Sequence, residues 1–395
     1  MDSISPDSGN NSADLTLEKV VAAVLEHNPD LNVSKFNTQL AEAEKLQASF
    51  FPNPELELEY ENFDEPEKTL AIGYLIELGG KRKQRMELAG TAVELATIEF
   101  DGARVELIYE TAAAFINVLL AQENLRITME KEKLADQVYA TSRERVLAGR
   151  VSPMEQVTAE IKRSNVRIEV QKADDELMIA RTNLSSMWGN PGADFNVAKG
   201  SFEQIRSVPS FDSLSAAVQN SPVIRAKSSE IKIAENSLDL EKRNRIPDLT
   251  LSGGIKKIDE SDDLIYIVGL SLPIPLFDHN QAAVKHASSE LDRHAAALFA
   301  EKNRLIKDLK IAYQTLKTAH QQVNTIKTDI LPSAQTVLEA VKEGYQEGEF
   351  GFLEMLEAQS TLYESHESYV QSLGQYHHAV IDLEKILGKD LSEFN

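Results

Sequence analysis

The sequence contains no cysteine, which excludes a disulfide framework and a thiolate metal site. It has no unbroken run of 18 apolar residues, so no membrane-spanning helix is expected. Positive charge is scarce: 41 Lys and Arg stand against 63 Asp and Glu, a formal net charge of −22. A nucleic-acid partner is not expected, because phosphate binding needs basic patches that release counterions. A surface or channel that gathers cations fits the charge better. Residues 1–14 lack the basic-then-apolar pattern of a signal peptide, and their Ser/Asn/Asp-rich composition reads as disordered. Such a start suits either a cytosolic protein or a processed form.

Catalytic signatures are missing as well. There is no Gly-rich phosphate loop, no nucleophile elbow and no pair of metal ligands on one helical turn. Neither enzymatic activity nor a cofactor is expected. His279 and His286 lie seven residues apart, with His294 eight further on. Two helical turns span roughly 11 Å, too far for one ion. His377 and His378 are adjacent and point to different faces. The seven methionines form no cluster suited to copper(I).

What the chain does contain is a duplication. Pro29 recurs as Pro222 and Pro54 as Pro247, both after 193 residues (222 − 29 and 247 − 54). Gly149 recurs as Gly348 and Gly189 as Gly388, both after 199 (348 − 149 and 388 − 189). Four ordered landmarks indicate a repeated structural unit rather than a short solenoid repeat. The reading is a first repeat over 15–189, a linker or equatorial segment over 190–212, a second repeat over 213–388 and a tail over 389–395. One body built from two halves is expected.

Within each repeat the hydrophobic period changes from helix to strand and back. Helices are expected over 15–27 and 30–51. Residues 55–61 alternate strictly between glutamate and an apolar residue, a strand with one acidic face. A turn over 63–68 leads to a return strand ending near Leu78. The second hairpin spans 248–273, with an acidic loop over 259–263. Each hairpin precedes a very long helical stretch. No proline interrupts 80–148, and only Pro332 interrupts 276–347, where it is expected to bend the helix without ending it. Roughly 70 residues at 1.5 Å each span on the order of 100 Å. Helices over 152–188 and 349–387 return from glycine-marked turns. Helices this long need partners along their length, so coiled-coil pairing is expected.

A lone hairpin is marginal in water. Strands of about ten residues with one apolar face match a bilayer-crossing β-structure, and open edges in lipid force closure into a barrel. Phe50, Phe51 and Phe277 at one end and Phe63 near the other stand where an interfacial girdle would be. Glu55, Glu57, Glu59 and Glu61 would then line the lumen. A soluble hairpin packed on helices is the alternative the strands leave open. The run Lys81-Arg82-Lys83 falls at the expected membrane interface.

From about Leu15 to Gly388 the chain resembles the TolC-like outer-membrane efflux proteins, nearest their CzcC-like heavy-metal branch. The resemblance is carried by Phe51-Pro52-Asn53-Pro54, Glu77-Leu78-Gly79-Gly80-Lys81-Arg82 and Ala148-Gly149-Arg150-Val151-Ser152. In the second repeat it rests on Leu272-Pro273-Ile274-Pro275-Leu276-Phe277-Asp278, Ile330-Leu331-Pro332 and Gly344-Tyr345-Gln346-Glu347-Gly348. Residues 352–359 (Phe352-Leu353-Glu354-Met355-Leu356-Glu357-Ala358-Gln359) complete it. It implies a mainly α fold with a small β part, in which a long antiparallel α-helical barrel continues a membrane β-barrel. Four strands per chain give twelve in a homotrimer.

Further implications are a passive conduit for heavy-metal cations, with a periplasmic adaptor and an inner-membrane RND-type pump as partners and outer-membrane lipid around the barrel. Gly149, Arg150, Val151 and Ser152, with Gly348, Glu349 and Phe350, would be adaptor-docking tips. Glu354 and Glu357, one turn past the second tip at i and i+3, would ring the periplasmic entrance, with Glu155 in the matching place of the first repeat. The resemblance implies a signal peptide already removed. Some relatives carry a lipidated N-terminal cysteine, which this sequence lacks. A drug-efflux or type I secretion conduit is the alternative within the family. A soluble antiparallel coiled-coil scaffold is the alternative outside it.

Overall fold

The computed structural model describes residues 15–63, 65–192, 195–258 and 263–394; the expected disordered start (1–14) and most of the acidic loop at 259–263 lie outside them. The element order runs twice. The first pass is α1 (Leu17–His27), α2 (Pro29–Ala48), β1 (Glu55–Phe63), β2 (Glu65–Ile76), α3 (Lys81–Leu147) and α4 (Pro153–Ser186). The second is α5 (Phe211–Ala217) with a short 3₁₀ turn, α6 (Pro222–Arg243), β3 (Leu249–Ile258) and β4 (Leu264–Ser271). It continues through α7 (Gln281–Thr325), a π-helical turn (Ile326–Ile330), α8 (Leu331–Glu347) and α9 (Phe352–Leu387).

The repeated residues have repeated duties. Pro29 and Pro222 open α2 and α6, where a missing N–H costs nothing. Pro54 and Pro247 precede β1 and β3. Gly149 and Gly348, at the ends of α3 and α8, have φ of 67° and 89°, a left-handed conformation that suits glycine.

Two compact units form, not the single body expected from the repeats. One holds the described residues up to Asn32, 103–221 and those from Leu305 on; the other holds 33–102 and 222–304. Each unit therefore draws matching segments from both repeats.

In the first unit the core is a set of heptad seams. Leu305, Leu309, Ala312, Leu316, Ala319, Val323 and Ile326 are all buried. From Leu309 on they recur at alternating spacings of three and four. Met355, Ala358, Leu362, Tyr369, Tyr376, Ala379 and Leu383 follow the same rule on α9, with Ser365 and Ser372 in register. This is the side-chain pattern of paired long helices. By length and composition alone, α3 contains one 18-residue stretch apolar enough to cross a membrane. Helix α3 supplies Phe115, Val118, Leu119 and Ala121 to the core.

The described residues of the 190–212 stretch are held by hydrogen bonds and burial. Leu15 N–H donates to the Val197 carbonyl (3.2 Å), and Lys199 N–H to that of Leu15 (2.9 Å). Phe202 is buried, its ring stacks on His377 at 5.5 Å, and its carbonyl accepts His377 Nε2–H at 2.7 Å. Burial, with a smaller contribution from His378, holds His377 below the usual histidine range. A lowered folded value means stability is complete above the free-histidine range and falls as pH drops through it. Thermal scans from pH 8 to pH 5 should show this loss near roughly pH 6.5, and His377→Gln should flatten it.

Helix boundaries differ from expectation at two places. The second long helix begins at Gln281, not Leu276, because Pro273 and Pro275 precede it and Asn280 takes a left-handed φ of 60°. Asp278 accepts Asn280 N–H at 2.9 Å and fixes that turn. Helix α9 begins at Phe352, since residues 349–351 form the tip. Pro332 does not end the helical path: having no N–H, it leaves a wider π turn just before it.

The second unit contains one sheet in the order β1-β2-β3-β4, all antiparallel. The two hairpins are thus joined along the β2–β3 seam. Where the sheet meets the helices, Lys81 Nζ lies 2.8 Å from Asp248, whose Oδ1 also accepts Leu78 N–H at 3.0 Å. Arg85 and Glu77 form a close ion pair, which raises the Arg85 pKa. Arg82 donates to the Ser49 carbonyl and lies over the Phe51 ring at 4.0 Å. The basic run therefore serves largely to brace this junction.

Candidate functional site

Register fixes which residues share a face of the sheet. Glu55, Glu57, Glu59 and Glu61 stand opposite Gly73, Ala71, Thr69 and Glu67. Those β2 residues oppose Ser252, Gly254, Lys256 and Ile258 on β3. One face is therefore acidic and small-residue-rich, with Lys256 paired to Glu67. The other carries Leu56, Leu58 and Tyr60, then Leu70, Ile72 and Tyr74, then Leu251 and Ile255, then Leu264, Tyr266, Val268 and Leu270. All of these are exposed in the single chain. Val268, at 84% exposure, could not remain so in water without cost. Phe50, Phe51 and Phe277 are also exposed; the side chain of Phe63 lies outside the described residues.

The two tips occupy matching places in the two repeats, between α3 and α4 and between α8 and α9. At the first, Gly149 N–H donates to Val146 O and Arg150 N–H to Arg145 O, both at 2.9 Å. Ser152 then caps α4, its Oγ accepting Met154 N–H at 3.3 Å, with Pro153 as the first helical residue. At the second, the Gly344 carbonyl accepts N–H groups of Glu349 (2.7 Å) and Phe350 (3.2 Å). Gly149, Arg150, Ser152, Gly348, Glu349 and Phe350 are exposed and Val151 is half-buried.

Glu354 and Glu357 are both exposed on the first turns of α9. Glu354 folds back over the helix start: a Cβ at Gly351 would lie 2.6 Å from its Oε2. That is the placement of a capping acid three residues into a helix. Glu155 differs from them. It is half-buried, and its Oε1 accepts the Tyr345 hydroxyl at 2.5 Å.

Tyr345 is the residue sequence reasoning missed. It is 2% exposed, packs with Phe352 at 6.3 Å and lies under the Arg145 guanidinium at 4.3 Å. Arg145 Nη1 donates to its carbonyl at 3.3 Å, and Ser142 Oγ lies 3.5 Å from its hydroxyl. One side chain thereby ties the ends of α3 and α8 to the starts of α4 and α9. The available signal was its place in the hydrophobic seam three residues before Gly348. Burial, then the hydrogen bond to Glu155, raises its pKa, so the link persists until pH rises beyond the ordinary tyrosine range near about 10. Tyr345→Phe keeps the ring and removes the donor. The tip should lose about 1–2 kcal/mol, read as a lower unfolding midpoint.

His294 Nδ1 pairs with Glu230 at 3.2 Å, and His378 Nε2 with Asn117 at 2.8 Å. Among the described residues no group of three His, Asp or Glu side chains is arranged to hold a metal ion.

Comparison with known proteins adds a lineage to this geometry. The family model described as "Outer membrane efflux protein" matches residues 20–190 and 213–389. The cobalt-zinc-cadmium resistance protein CzcC of Cupriavidus metallidurans is 29% identical over 377 residues, covering 95% of this chain and 90% of that protein. The nickel and cobalt resistance protein CnrC of the same organism is 26% identical, over 68% of this chain and 65% of that protein. Among solved structures, CusC, studied for its folding and transmembrane channel formation, superposes with a TM-score of 0.80. The match has 18% identity and covers 95% of this chain and 93% of CusC.

Proposed function

Since the chain belongs to the outer membrane efflux protein family, whose members are efflux channels of the outer membrane rather than enzymes, we propose that it forms a homotrimeric passive conduit for metal cations. The observation that carries this reading is the sheet register. It gathers the four strand-one glutamates and Glu67 on one face and an apolar surface on the other. In lipid a four-stranded sheet must close its edges. Three copies supply twelve strands, enough for an open lumen. The apolar face then meets lipid, and Glu55, Glu57, Glu59 and Glu61 line the water-filled side.

Gly149, Arg150, Val151 and Ser152, with Gly348, Glu349 and Phe350, dock a periplasmic adaptor that couples the channel to an inner-membrane RND-type pump. Their exposure in the chain supports that role. Glu354 and Glu357 ring the entrance, where carboxylates at a constriction favour cations. Glu155 supports the ring by holding Tyr345. Divalent transition-metal ions are the proposed cargo, in line with the cobalt, zinc, cadmium and nickel resistance attached to the names of CzcC and CnrC.

The test is single-channel recording of the purified protein in a planar bilayer, with its oligomer mass measured alongside. A trimer carrying cation-selective current is expected. Glu354→Gln combined with Glu357→Gln should bring the cation-to-anion permeability ratio down toward that of a neutral pore. Unchanged selectivity would remove the entrance assignment, and a non-inserting monomer would remove the conduit.

A further inference from the structure

Helix α4 carries two apolar faces, and its own chain covers only one. Ala159, Val166, Ala173, Leu177 and Leu184 are buried. Met154, Val157, Ile161 and Ile168 are exposed, the two isoleucines by 57% each. With Ser164 they recur at alternating spacings of three and four, the seam of a paired helix. Ile161 and Ile168 each follow a buried residue by two positions (161 − 159 and 168 − 166), roughly 200° around the helix. The uncovered seam therefore faces away from the helices that bury the other side. Exposed apolar stripes of this kind mark contact surfaces.

A second seam lies in the same compact unit. Ile330, Ser333, Val337 and Ala340, at the end of the π turn and along α8, are all exposed and keep the same spacing. Both seams are exposed in one chain, so they do not meet within it. Helix α4 leads away from the tips and α8 leads toward them, so the two run antiparallel. Their heights are tied by the Tyr345 hydroxyl, which donates to Glu155 at 2.5 Å. Counted from that contact, Ile161 lies six residues out and Ala340 five (161 − 155 and 345 − 340). Ser164 and Val337 lie nine and eight out (164 − 155 and 345 − 337). Ile168 and Ser333 lie thirteen and twelve out (168 − 155 and 345 − 333). Each pair differs by one residue, roughly 1.5 Å of rise. Each also sets a branched aliphatic side chain against a small one, the alternation that lets facing layers interdigitate.

We propose that the α4 seam of one copy docks against the α8 seam of a second copy of this chain, with Ile161 on Ala340, Ser164 on Val337 and Ile168 on Ser333. This inference rests on the homotrimer reading. The contact joins two different surfaces, so it passes from copy to copy around a ring and closes at three. Rotation about an axis along the helices leaves heights unchanged, so the Tyr345–Glu155 contact inside one chain also sets the register between chains. The competing occupant of the α4 seam is the periplasmic adaptor.

The chain has no cysteine, so a disulfide between introduced cysteines reports one chosen pair. The full chain carrying Ser164→Cys with Val337→Cys, and separately Ile161→Cys with Ala340→Cys, is purified, its native mass measured, and then oxidised. On a denaturing gel without reductant both should shift from the 43.9 kDa chain to three times that mass, because the ring closes covalently. Met178→Cys with Val337→Cys should stay at single-chain mass, since those positions differ in height by roughly 22 Å and a disulfide needs Cβ atoms about 4 Å apart. Ile161→Asp, a change at a residue exposed in the single chain, should turn the native trimer into single chains. Trimeric double variants that give no covalent trimer would overturn this inference alone and leave the α4 seam to the adaptor. A covalent dimer from Ser164→Cys by itself would overturn it too, by pairing α4 with α4. A wild type of single-chain native mass would overturn the homotrimer reading and this inference with it.

Discussion

Gly254→Val is expected to prevent recovery of the assembled barrel, whereas Gly253→Val, one residue earlier, should leave it intact. The two positions face opposite sides of β3. At Gly254 a Cβ would lie 2.6 Å from the Leu70 carbonyl oxygen and 2.9 Å from the Ala71 Cα. These are backbone atoms of the paired strand and cannot swing away. At Gly253 the nearest atom would be the Ile267 carbonyl at 4.0 Å, an ordinary contact on the apolar face, where a β-branched residue suits a strand. Overpacking in a tight site costs about 1–3 kcal/mol. Here it falls on the seam that joins the two hairpins, so the larger loss is the pairing itself. Two separate hairpins would each present open edges to lipid, which is prohibitive. Gel mobility with and without heating, with membrane fractionation, reads the outcome: Gly254→Val should give monomer outside the outer-membrane fraction. Equal assembly of the two variants would contradict the register.

The contrast between those glycines also marks where sequence reading ends. The alternation of Glu55 to Glu61 declares a strand with two unlike faces, because period two is local. Long helices were equally legible, since 80–148 lacks proline and its glycines cost little over many turns. The pairing of β2 with β3 was not legible. It joins residues 173 to 191 apart in sequence (249 − 76 and 258 − 67), and nothing in either hairpin states which edge meets which. The start of α7 was misread by five residues because apolar Leu276 and Phe277 fit a helical period. Pro275 and the left-handed Asn280 override that pattern. The tip glycines were found from their repetition, but the Tyr345 contact with Glu155 spans 190 residues and has no local signature. For the same reason Glu155 read as an equal partner of Glu354. By sequence the two occupy matching places, yet only Glu155 faces a tyrosine hydroxyl. The duplicated halves have diverged where they touch each other.

Asp248→Ala should be among the most destabilising single substitutions in the chain, and the reason lies in what it leaves behind. The Lys81 side chain is 10% exposed, and its ammonium is 2.8 Å from the Asp248 carboxylate. Removing the carboxylate strands a buried cation and also deprives Leu78 N–H of its acceptor. Breaking a buried pair from one side costs about 3–5 kcal/mol, whereas replacing both partners by apolar groups is often close to neutral. Asp248→Ala combined with Lys81→Met should therefore recover much of the loss, leaving chiefly the lost bond to the exposed Leu78 N–H, which water can replace. Urea or thermal unfolding of the wild type, both singles and the double gives the coupling energy directly. A double variant as unstable as Asp248→Ala would show that the carboxylate acts mainly through Leu78, as an anchor for the strand-to-helix turn. A strong rescue would make the ion pair the element that fixes β3 to the start of α3. Because β3 belongs to the second repeat and α3 to the first, that result would locate in one side-chain pair the contact that keeps the duplicated hairpins in a single sheet.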